Sequence, residues 1–300
     1  MRIFDPHIHM TSRTTDDYER MAAAGVRALV EPAFWLGQPR TSAASFVDYF
    51  DSLVGWEPFR ASQFGIRHHA TIALNPKEAN DRRCREVLDL LPRYLDKDGV
   101  VAVGEVGYDS MTPEEDEVFA AQLALAVEHE LPALVHTPHR DKARGTERSL
   151  AVVAESGLDP GRVVIDHLNE VTVPLVRETG CWLGFSIYPE TKMSPPRMVE
   201  LLRKYGTERM LVNSAADWGR SDPLLTRATA EAMLAAGFDE DDVDRVLWRN
   251  PVEFYGQSGR LDLADAGTAD AGTADNEPAD AEPSPGSATF EGNSILRGGA

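Results

Sequence analysis

Residues 5–10 read Asp-Pro-His-Ile-His-Met (DPHIHM) and follow a short apolar run, Met1–Phe4, which predicts a β-strand. Successive side chains of a strand point to opposite faces, so Asp5, His7 and His9 are expected on one face. Two imidazoles on a rigid strand end can bind one divalent metal, and the preceding carboxylate can orient a ligand or join it. A polar strand end with two surface histidines is the alternative. The position of the motif at the start of an alternating chain favours a metal site.

Downstream of this motif, strand-like runs alternate with helix-like segments. The predicted strands are Met1–Phe4, Val26–Glu31, His69–Ala73, Val100–Val106, Pro132–His136, Val163–Asp166, Trp182–Ile187 and Met210–Asn213. The predicted helices include Asp81–Leu95 and Glu147–Ser156. Such alternation favours parallel strands with right-handed crossovers, and over about 250 residues it predicts a single (β/α)8 TIM barrel of the α/β class. A doubly wound open sheet is disfavoured because no Gly-x-Gly-x-x-Gly turn follows the first strand.

Composition narrows the class of protein. A formal net charge of −19 over 300 residues argues against a large nucleic-acid surface, although nucleic acid is not excluded as a partner. The two cysteines, Cys84 and Cys181, predict no disulfide framework and a reducing, cytoplasmic location. No apolar run has transmembrane length, so no membrane association is expected. The composition shift near Ser258 predicts a barrel domain over residues 1–257 and a disordered, low-complexity acidic tail over 258–300.

Ligand-type side chains recur at the carboxyl ends of five predicted strands, where the active sites of barrels form. They are His7, His9, Glu105, His136, Asp166, His167 and, shortly after the eighth strand, Asp217. Each residue alone is more often an ordinary solvated or packed polar group. Their joint placement predicts a centre for one or two divalent metal ions, with zinc favoured and manganese, magnesium or iron as alternatives.

Several motifs resemble the TatD-like metal-dependent hydrolases of the amidohydrolase superfamily. They are DPHIHM, GEVGYD at Gly104–Asp109, His136, His167 and NPVEFYG at Asn250–Gly256. The resemblance spans roughly residues 1–256 and implies a single-domain barrel. It implies that His7 and His9 bind a first metal and that Glu105 bridges it to a second. His136 and His167 are implied as ligands of the second metal. The chain is similar, more weakly, to the TatD-type proteins of Ebo gene clusters, which are linked to secondary-metabolite handling.

The end of the eighth strand departs from this family. The family's Glu-Thr-Asp run reads Asn213-Ser214-Ala215 here, and the nearest carboxylate is Asp217, which stays on the same side if the chain is extended. Asp217 is therefore expected to act as metal ligand and proton carrier, beside a catalytic Glu105. Asp5 and Asp109 are expected to hydrogen-bond metal-bound histidines.

The region after the fifth strand also departs from the family, because His136-Thr137-Pro138 replaces His-x-Arg. It continues as a basic loop to Arg148, which can bind a phosphate or carboxylate or can be a solvated charge run. The candidate substrate-binding residues are Arg140, His139, Arg13 and Arg40.

Together these features predict a divalent-metal-dependent hydrolase that activates water against a small anionic ester, amide or phosphoester. A TatD-type 3′-5′ DNA exonuclease or phosphodiesterase is the alternative within the same class. The alternative from another class is a non-catalytic metal-binding accessory protein of a biosynthetic pathway. It arises because Asp217 lies beyond the family's position for the acidic residue, so the carboxylate that would transfer the proton can be misplaced. The sequence leaves the substrate, the metal and the oligomeric state open.

Overall fold

The protein is seen in a computed structural model that describes residues 1–264, except residue 39, together with residue 266. Eight parallel strands follow one another in sequence order around one sheet. They are β1 (Ile3–Asp5), β2 (Val26–Pro32), β3 (Arg67–Ile72), β4 (Val100–Gly107), β5 (Ala133–His136), β6 (Val163–Ile165), β7 (Trp182–Ser186) and β8 (Met210–Asn213). Past the ends of β8 and β1, the amides of Ala215 and His9 donate to the carbonyls of His7 and Ala216 at 2.9 Å. The predicted (β/α)8 TIM barrel is confirmed.

Helices follow the strands around the outside of the barrel. They are α1 (Thr15–Ala23), α2 (Ala43–Asp51), α3 (Glu57–Ser62), α4 (Leu91–Leu95), α5 (Pro113–Glu128), α6 (Lys142–Ser156), α7 (Val173–Val176), α8 (Pro195–Tyr205), α9 (Leu225–Ala235), α10 (Glu240–Asp244) and α11 (Asn250–Gly256). Segments of π-helix, Ser52–Trp56 and Arg245–Arg249, join α2 to α3 and α10 to α11.

One predicted helix and one predicted loop need correction. The helix predicted over Asp81–Leu95 is a 3-10 segment, Arg82–Asp89, followed by α4, because Pro92 lacks the amide that a continuous α-helix requires. The predicted basic loop is largely the start of α6, which begins at Lys142. Gly145 permits this first turn to pack closely, since a Cβ there would lie 2.3 Å from Pro138 Cγ.

The inside of the barrel is filled by one apolar cluster that draws on β1, β2, β4, β5, β6, β7 and β8. It includes Phe4, Val30, Ala102, Leu134, Val164, Trp182 and Leu211. The last helix, α11, completes this cluster with Phe254 and Tyr255. The Tyr255 hydroxyl donates to the carbonyl of Pro6 at 2.8 Å, one residue before His7. The NPVEFYG motif therefore supports the strand end that carries the histidines.

The segment after α11 runs against the barrel as far as it is described. Leu261 and Leu263 pack against the inner cluster, and the amide of Asp262 donates to His69 Nε2 at 3.1 Å. The division into a barrel domain over residues 1–257 and a disordered tail over 258–300 stays a prediction, and residue 265 and residues 267–300 of that tail fall outside the described residues. No described helix is both long and apolar enough to cross a bilayer.

A buried polar pair lies between β2 and β3. His68 Nε2 is 2.8 Å from Glu31 Oε2, and the amide and hydroxyl of Thr11 donate to Glu31 Oε1 at 2.7 and 2.8 Å. Burial raises the pKa of Glu31 to about 7 and lowers the pKa of His68 to about 4. Between these values the Glu31 carboxyl keeps its proton and donates it to a neutral imidazole.

Glu31→Gln is expected to change how stability depends on pH. Because the pKa of Glu31 is about 7 in the fold, against an ordinary 4.5, its contribution is complete below pH 4.5 and is lost as the pH rises through 7. The wild type should therefore lose up to about 3 kcal/mol of unfolding free energy relative to the variant between about pH 5 and about pH 8. Urea unfolding of both chains tests this, and parallel pH profiles would contradict it.

Candidate metal centre

His7 and His9 lie just past the end of β1, where Asp5 fixes the backbone. The Asp5 carboxylate accepts hydrogen bonds from the amides of His7 and Ser214, both at 3.2 Å, and burial raises the pKa of Asp5 to about 6. This contact orients the main chain, whereas the sequence suggested a contact to an imidazole ring. The two imidazoles converge, with 3.1 Å between His7 Nε2 and His9 Nε2.

Glu105, near the end of β4, lies at the middle of the cluster. Its Oε1 is 3.4 Å from His7 Nε2 and 3.3 Å from both His136 Nδ1 and His167 Nε2. Its Oε2 accepts a hydrogen bond from Asn75 Nδ2 at 3.0 Å. Burial acts to raise the pKa of Glu105, but the surrounding histidines outweigh it and hold that pKa well below its usual range. The carboxylate is therefore ionised.

His136 and His167 approach from β5 and from the end of β6. His167 Nε2 is 3.0 Å from His136 Nδ1, while His167 Nδ1 contacts Ser186 Oγ at 2.6 Å. His167 has a φ of 62°, in the left-handed region that residues other than glycine rarely adopt. Such strain is often found at functional sites, where the surrounding structure holds a side chain in place.

This donor set fits one or two divalent cations. Ligands about 2.0–2.1 Å from a tetrahedral metal lie about 3.3 Å from one another, and the observed spacings of 3.0–3.4 Å match that value. Burial and the neighbouring His7 lower the pKa of His9 to about 3, which keeps the imidazole neutral and able to bind metal. Two groups of ligand atoms within 4.8 Å share Glu105: His7 and His9 on one side, His136 and His167 on the other.

Asp166, at the end of β6, has a role that the sequence analysis did not assign. Its Oδ2 lies 2.6 Å from His7 Nδ1, and its Oδ1 accepts from the amide of His167 at 2.7 Å. Asn213 Nδ2 donates to both oxygens at 3.1 and 3.2 Å. Gly184 makes room for this carboxylate, because a Cβ there would lie 2.5 Å from Asp166 Oδ1. The sequence analysis found Asp166 as a ligand-type residue at a strand end but assigned no contact to it.

Asp217 lines the cavity above the metal centre but is absent from the groups of ligand atoms found among the described residues. Its Oδ1 accepts hydrogen bonds from the amide of Gly219 at 2.7 Å and from the Tyr188 hydroxyl at 3.3 Å. Ala215, which the sequence analysis matched to the last residue of the family's Glu-Thr-Asp run, also lines the cavity. Asp109, which the sequence analysis placed next to a histidine, instead accepts from Lys77 Nζ at 2.6 Å.

The predicted substrate-binding residues are distributed over several places. His139 lines the metal cavity, which has a volume of about 300 Å³, and Arg140 lines a neighbouring pocket. Arg40 is buried against Glu78 at 2.7 Å and lines a separate cavity of about 580 Å³. Arg13 donates to the carbonyl of Asp217 at 2.8 Å and so supports the wall of the metal cavity.

The cavity also contains aromatic and basic residues that are not among the predicted site residues. Trp35 and Trp218 flank its opening with their rings 5.8 Å apart, and Phe34 stacks on His9 at 3.9 Å between ring centroids. Lys192, from the loop after β7, reaches to 3.2 Å from His167 Nδ1. Phe34 and Trp35 follow the end of β2, but the signal used to find candidates was a histidine or carboxylate at a strand end. Lys192 lies six residues beyond the end of β7.

Comparison with known proteins places the chain in a family. A family model described as TatD related DNase matches residues 4–256. An uncharacterized metal-dependent hydrolase of Methanocaldococcus jannaschii is 25% identical over 256 residues, covering 84% of this chain and 99% of that protein. The 3′-5′ ssDNA/RNA exonuclease TatD of Dickeya dadantii is 28% identical over 147 residues, covering 45% of this chain and 48% of that protein.

Solved structures agree with this result. A TatD-like protein from Archaeoglobus fulgidus superposes with a TM-score of 0.71 at 25% identity, covering 84% of this chain and 99% of that chain. The fold is shared with a phosphotriesterase homology protein from Escherichia coli, at a TM-score of 0.62 and 17% identity, over 85% of this chain and 98% of that chain. The family match begins in β1 and ends with α11, so it includes every strand that contributes to the centre. The chain belongs to the TatD related DNase family and is a metal-dependent hydrolase.

Proposed function

We propose that this chain is a cytoplasmic enzyme that hydrolyses a small anionic ester, amide or phosphoester. It would use one or two divalent cations, and zinc is the metal we expect. The observation that carries the proposal is that four imidazoles converge on the Glu105 carboxylate. Three of them, those of His7, His136 and His167, lie 3.3–3.4 Å from its Oε1. When bound, such a cation supplies Lewis acidity and lowers the pKa of water from about 15.7 to about 7. His7, His9, Glu105, His136 and His167 would hold it.

Residues around the ligands orient them. Asp166 accepts the hydrogen bond of His7 Nδ1, which turns His7 Nε2 towards the cavity, and Ser186 holds His167 Nδ1 in the same way. Phe34 covers one face of His9 and excludes water from that side. The ligand atoms are therefore fixed before any substrate arrives, which avoids the cost of reorganisation during the reaction.

Asp217 is the group to which we assign proton transfer. Its Oδ1 is held by Gly219 and Tyr188, while no described residue donates a hydrogen bond to its Oδ2. Oδ2 can therefore accept a proton from the attacking water and return it to the leaving group. This role needs no direct bond to metal, which agrees with the absence of Asp217 from the groups of ligand atoms among the described residues.

Asp217→Asn is expected to lower kcat by about 100- to 1,000-fold, because the amide cannot carry the proton. Bound metal should stay unchanged, since the amide oxygen can still accept from Gly219. Steady-state kinetics and elemental analysis of the same preparation test this, with the half-exposed Asp222→Asn as the matched control. An unchanged kcat would remove Asp217 from the reaction.

A substrate screen tests the proposed activity as a whole. The metal-loaded protein should hydrolyse at least one member of a panel of phosphomonoesters, phosphodiesters, lactones and small anionic amides, and His7→Ala should abolish that turnover. An absence of turnover across the panel, or full turnover by His7→Ala, would contradict the proposal.

Single-stranded DNA is the second candidate substrate, because the relative from Dickeya dadantii is named an exonuclease. The net charge of −19 opposes it, since a strongly acidic chain repels a polyanion. Trimming of 3′ ends of labelled DNA with added magnesium or manganese, abolished by Glu105→Gln, would establish this activity in place of the small-molecule one.

A further inference from the structure

We propose that Lys192 is the residue that selects an anionic substrate: its ammonium binds a phosphate or carboxylate oxygen next to the metal centre. This inference rests on the proposed function, because it describes what the same cavity binds. It starts from the position of Lys192, which lines the cavity together with His7, His9, Glu105 and His167.

The backbone of the loop after β7 holds Lys192 in place. The amide of Lys192 donates to the carbonyl of Tyr188 at 2.8 Å, and the amide of Tyr188 donates to the carbonyl of Met193, also at 2.8 Å. Met193 is fully buried and anchors the turn in the core. From outside, Arg197 donates to the carbonyl of Lys192 at 2.6 Å. The charge is thus positioned in advance rather than carried on a free loop.

Among the described residues, no carboxylate oxygen lies within 4.0 Å of Lys192 Nζ, the distance within which we count an ion pair. The other lysine of this cavity, Lys77, is paired with Asp109 at 2.6 Å. Lys192 Nζ instead lies 3.2 Å from His167 Nδ1 and 5.8 Å from the centre of the Tyr188 ring. An ammonium has three donors and no acceptor, so it requires acceptors that these neighbours do not fully supply.

His167 cannot serve as that acceptor once its Nε2 is used as a ligand. The hydrogen of the neutral imidazole is then on Nδ1, and it is donated to Ser186 Oγ at 2.6 Å. Lys192 Nζ therefore faces an N–H group and has to direct its own hydrogens into the cavity. An oxyanion of the substrate is the acceptor that fits there, and a charge-assisted hydrogen bond to it contributes strongly to binding.

The replacement at the end of β8 increases the effect of this lysine. Ala215, which lines the same cavity, has no charge where the family pattern expects an aspartate. An anionic group that enters beside the ligands therefore meets Lys192 without a carboxylate at position 215. Compared with an aspartate at position 215, the alanine removes one repulsive charge, and Lys192 attracts the anion. We therefore expect the cavity to bind anionic substrates in preference to neutral ones.

Phosphate binding to the metal-loaded protein tests the inference without relying on turnover. Inorganic phosphate and acetate are titrated into the wild type, Lys192→Met, Lys192→Arg and the exposed control Lys97→Met, by calorimetry and by intrinsic tryptophan fluorescence. We expect Lys192→Met to bind the preferred anion about 10- to 100-fold more weakly with metal content unchanged. Lys192→Arg should bind within a few-fold of the wild type, as should Lys97→Met. The tighter of the two anions identifies the substrate group as phosphate or carboxylate.

Lys192→Met that binds both anions as tightly as the wild type would overturn the inference. So would a loss of metal in this variant, because Lys192 would then act through His167. If no ester or amide is turned over but anion binding depends on Lys192, the proposed activity fails and the binding role stands. If turnover is found and Lys192→Met lowers it equally for a neutral and an anionic aryl ester, the inference fails and the activity stands.

Discussion

Glu105→Gln is expected to abolish turnover and to release bound metal. Glu105 Oε1 is the only carboxylate oxygen that lies 3.3–3.4 Å from three imidazoles in the described centre. The amide keeps the shape but loses the negative charge, so two cations would be held by neutral imidazoles alone. We expect kcat to fall by at least about 1,000-fold, beyond the 10- to 100-fold typical of residues that only orient a ligand.

The measurement for Glu105 combines initial rates with elemental analysis of the purified variant. Glu117→Gln, at a mostly exposed glutamate on α5, is the matched control and should keep the metal content and rate of the wild type. Circular dichroism separates loss of metal from loss of fold. Retention of both metal and turnover by Glu105→Gln would refute a central role for this carboxylate.

Asp166→Asn is expected to lower metal affinity and kcat by about 10- to 100-fold. Asp166 uses both oxygens as acceptors, for His7 Nδ1 at 2.6 Å and for the amide of His167 at 2.7 Å. An asparagine has one acceptor oxygen and an NH2 group, so one of these donors would face another donor. His7 would then lose the contact that turns Nε2 towards the cavity.

Metal titration of the chelator-treated protein gives the affinity of the Asp166 variant, and kinetics at saturating metal give its rate. Asp159→Asn is the control, because Asp159 is exposed and its contact to the amide of Gly161 at 2.8 Å survives in an amide. Equal metal affinity in Asp166→Asn and the wild type would show that the short contact to His7 does not tune the centre.

The barrel and most of the residues that converge in the cavity were predictable because both follow from local patterns. Apolar runs such as Val100–Val106 mark strands, and the ends of parallel strands in a barrel meet at one face. His7, His9 and Glu105 were found in this way. The metal-binding role of Asp217 stays a prediction, and its carboxylate lies on the cavity wall, where it accepts hydrogen bonds from Gly219 and Tyr188.

Other features depend on which loops meet in three dimensions, and the sequence carries little signal for them. Lys192 follows β7 by six residues and enters the cavity only because the turn at Met193 folds back. Arg40 looked like a substrate ligand, yet Glu78 neutralises it in a different cavity. The division of the predicted helix Asp81–Leu95 follows from a single proline, Pro92, at the start of α4.

Elemental analysis of the purified wild type beside the double variant His9→Ala/His167→Ala tests the metal centre most directly. The two substitutions remove one ligand from each side of Glu105. We predict one to two equivalents of divalent metal per chain in the wild type and less than a tenth of an equivalent in the folded double variant, in line with the loss of ligands from both sites. A metal-free wild type, or a double variant with as much metal as the wild type, would contradict the assignment of these residues as a metal centre.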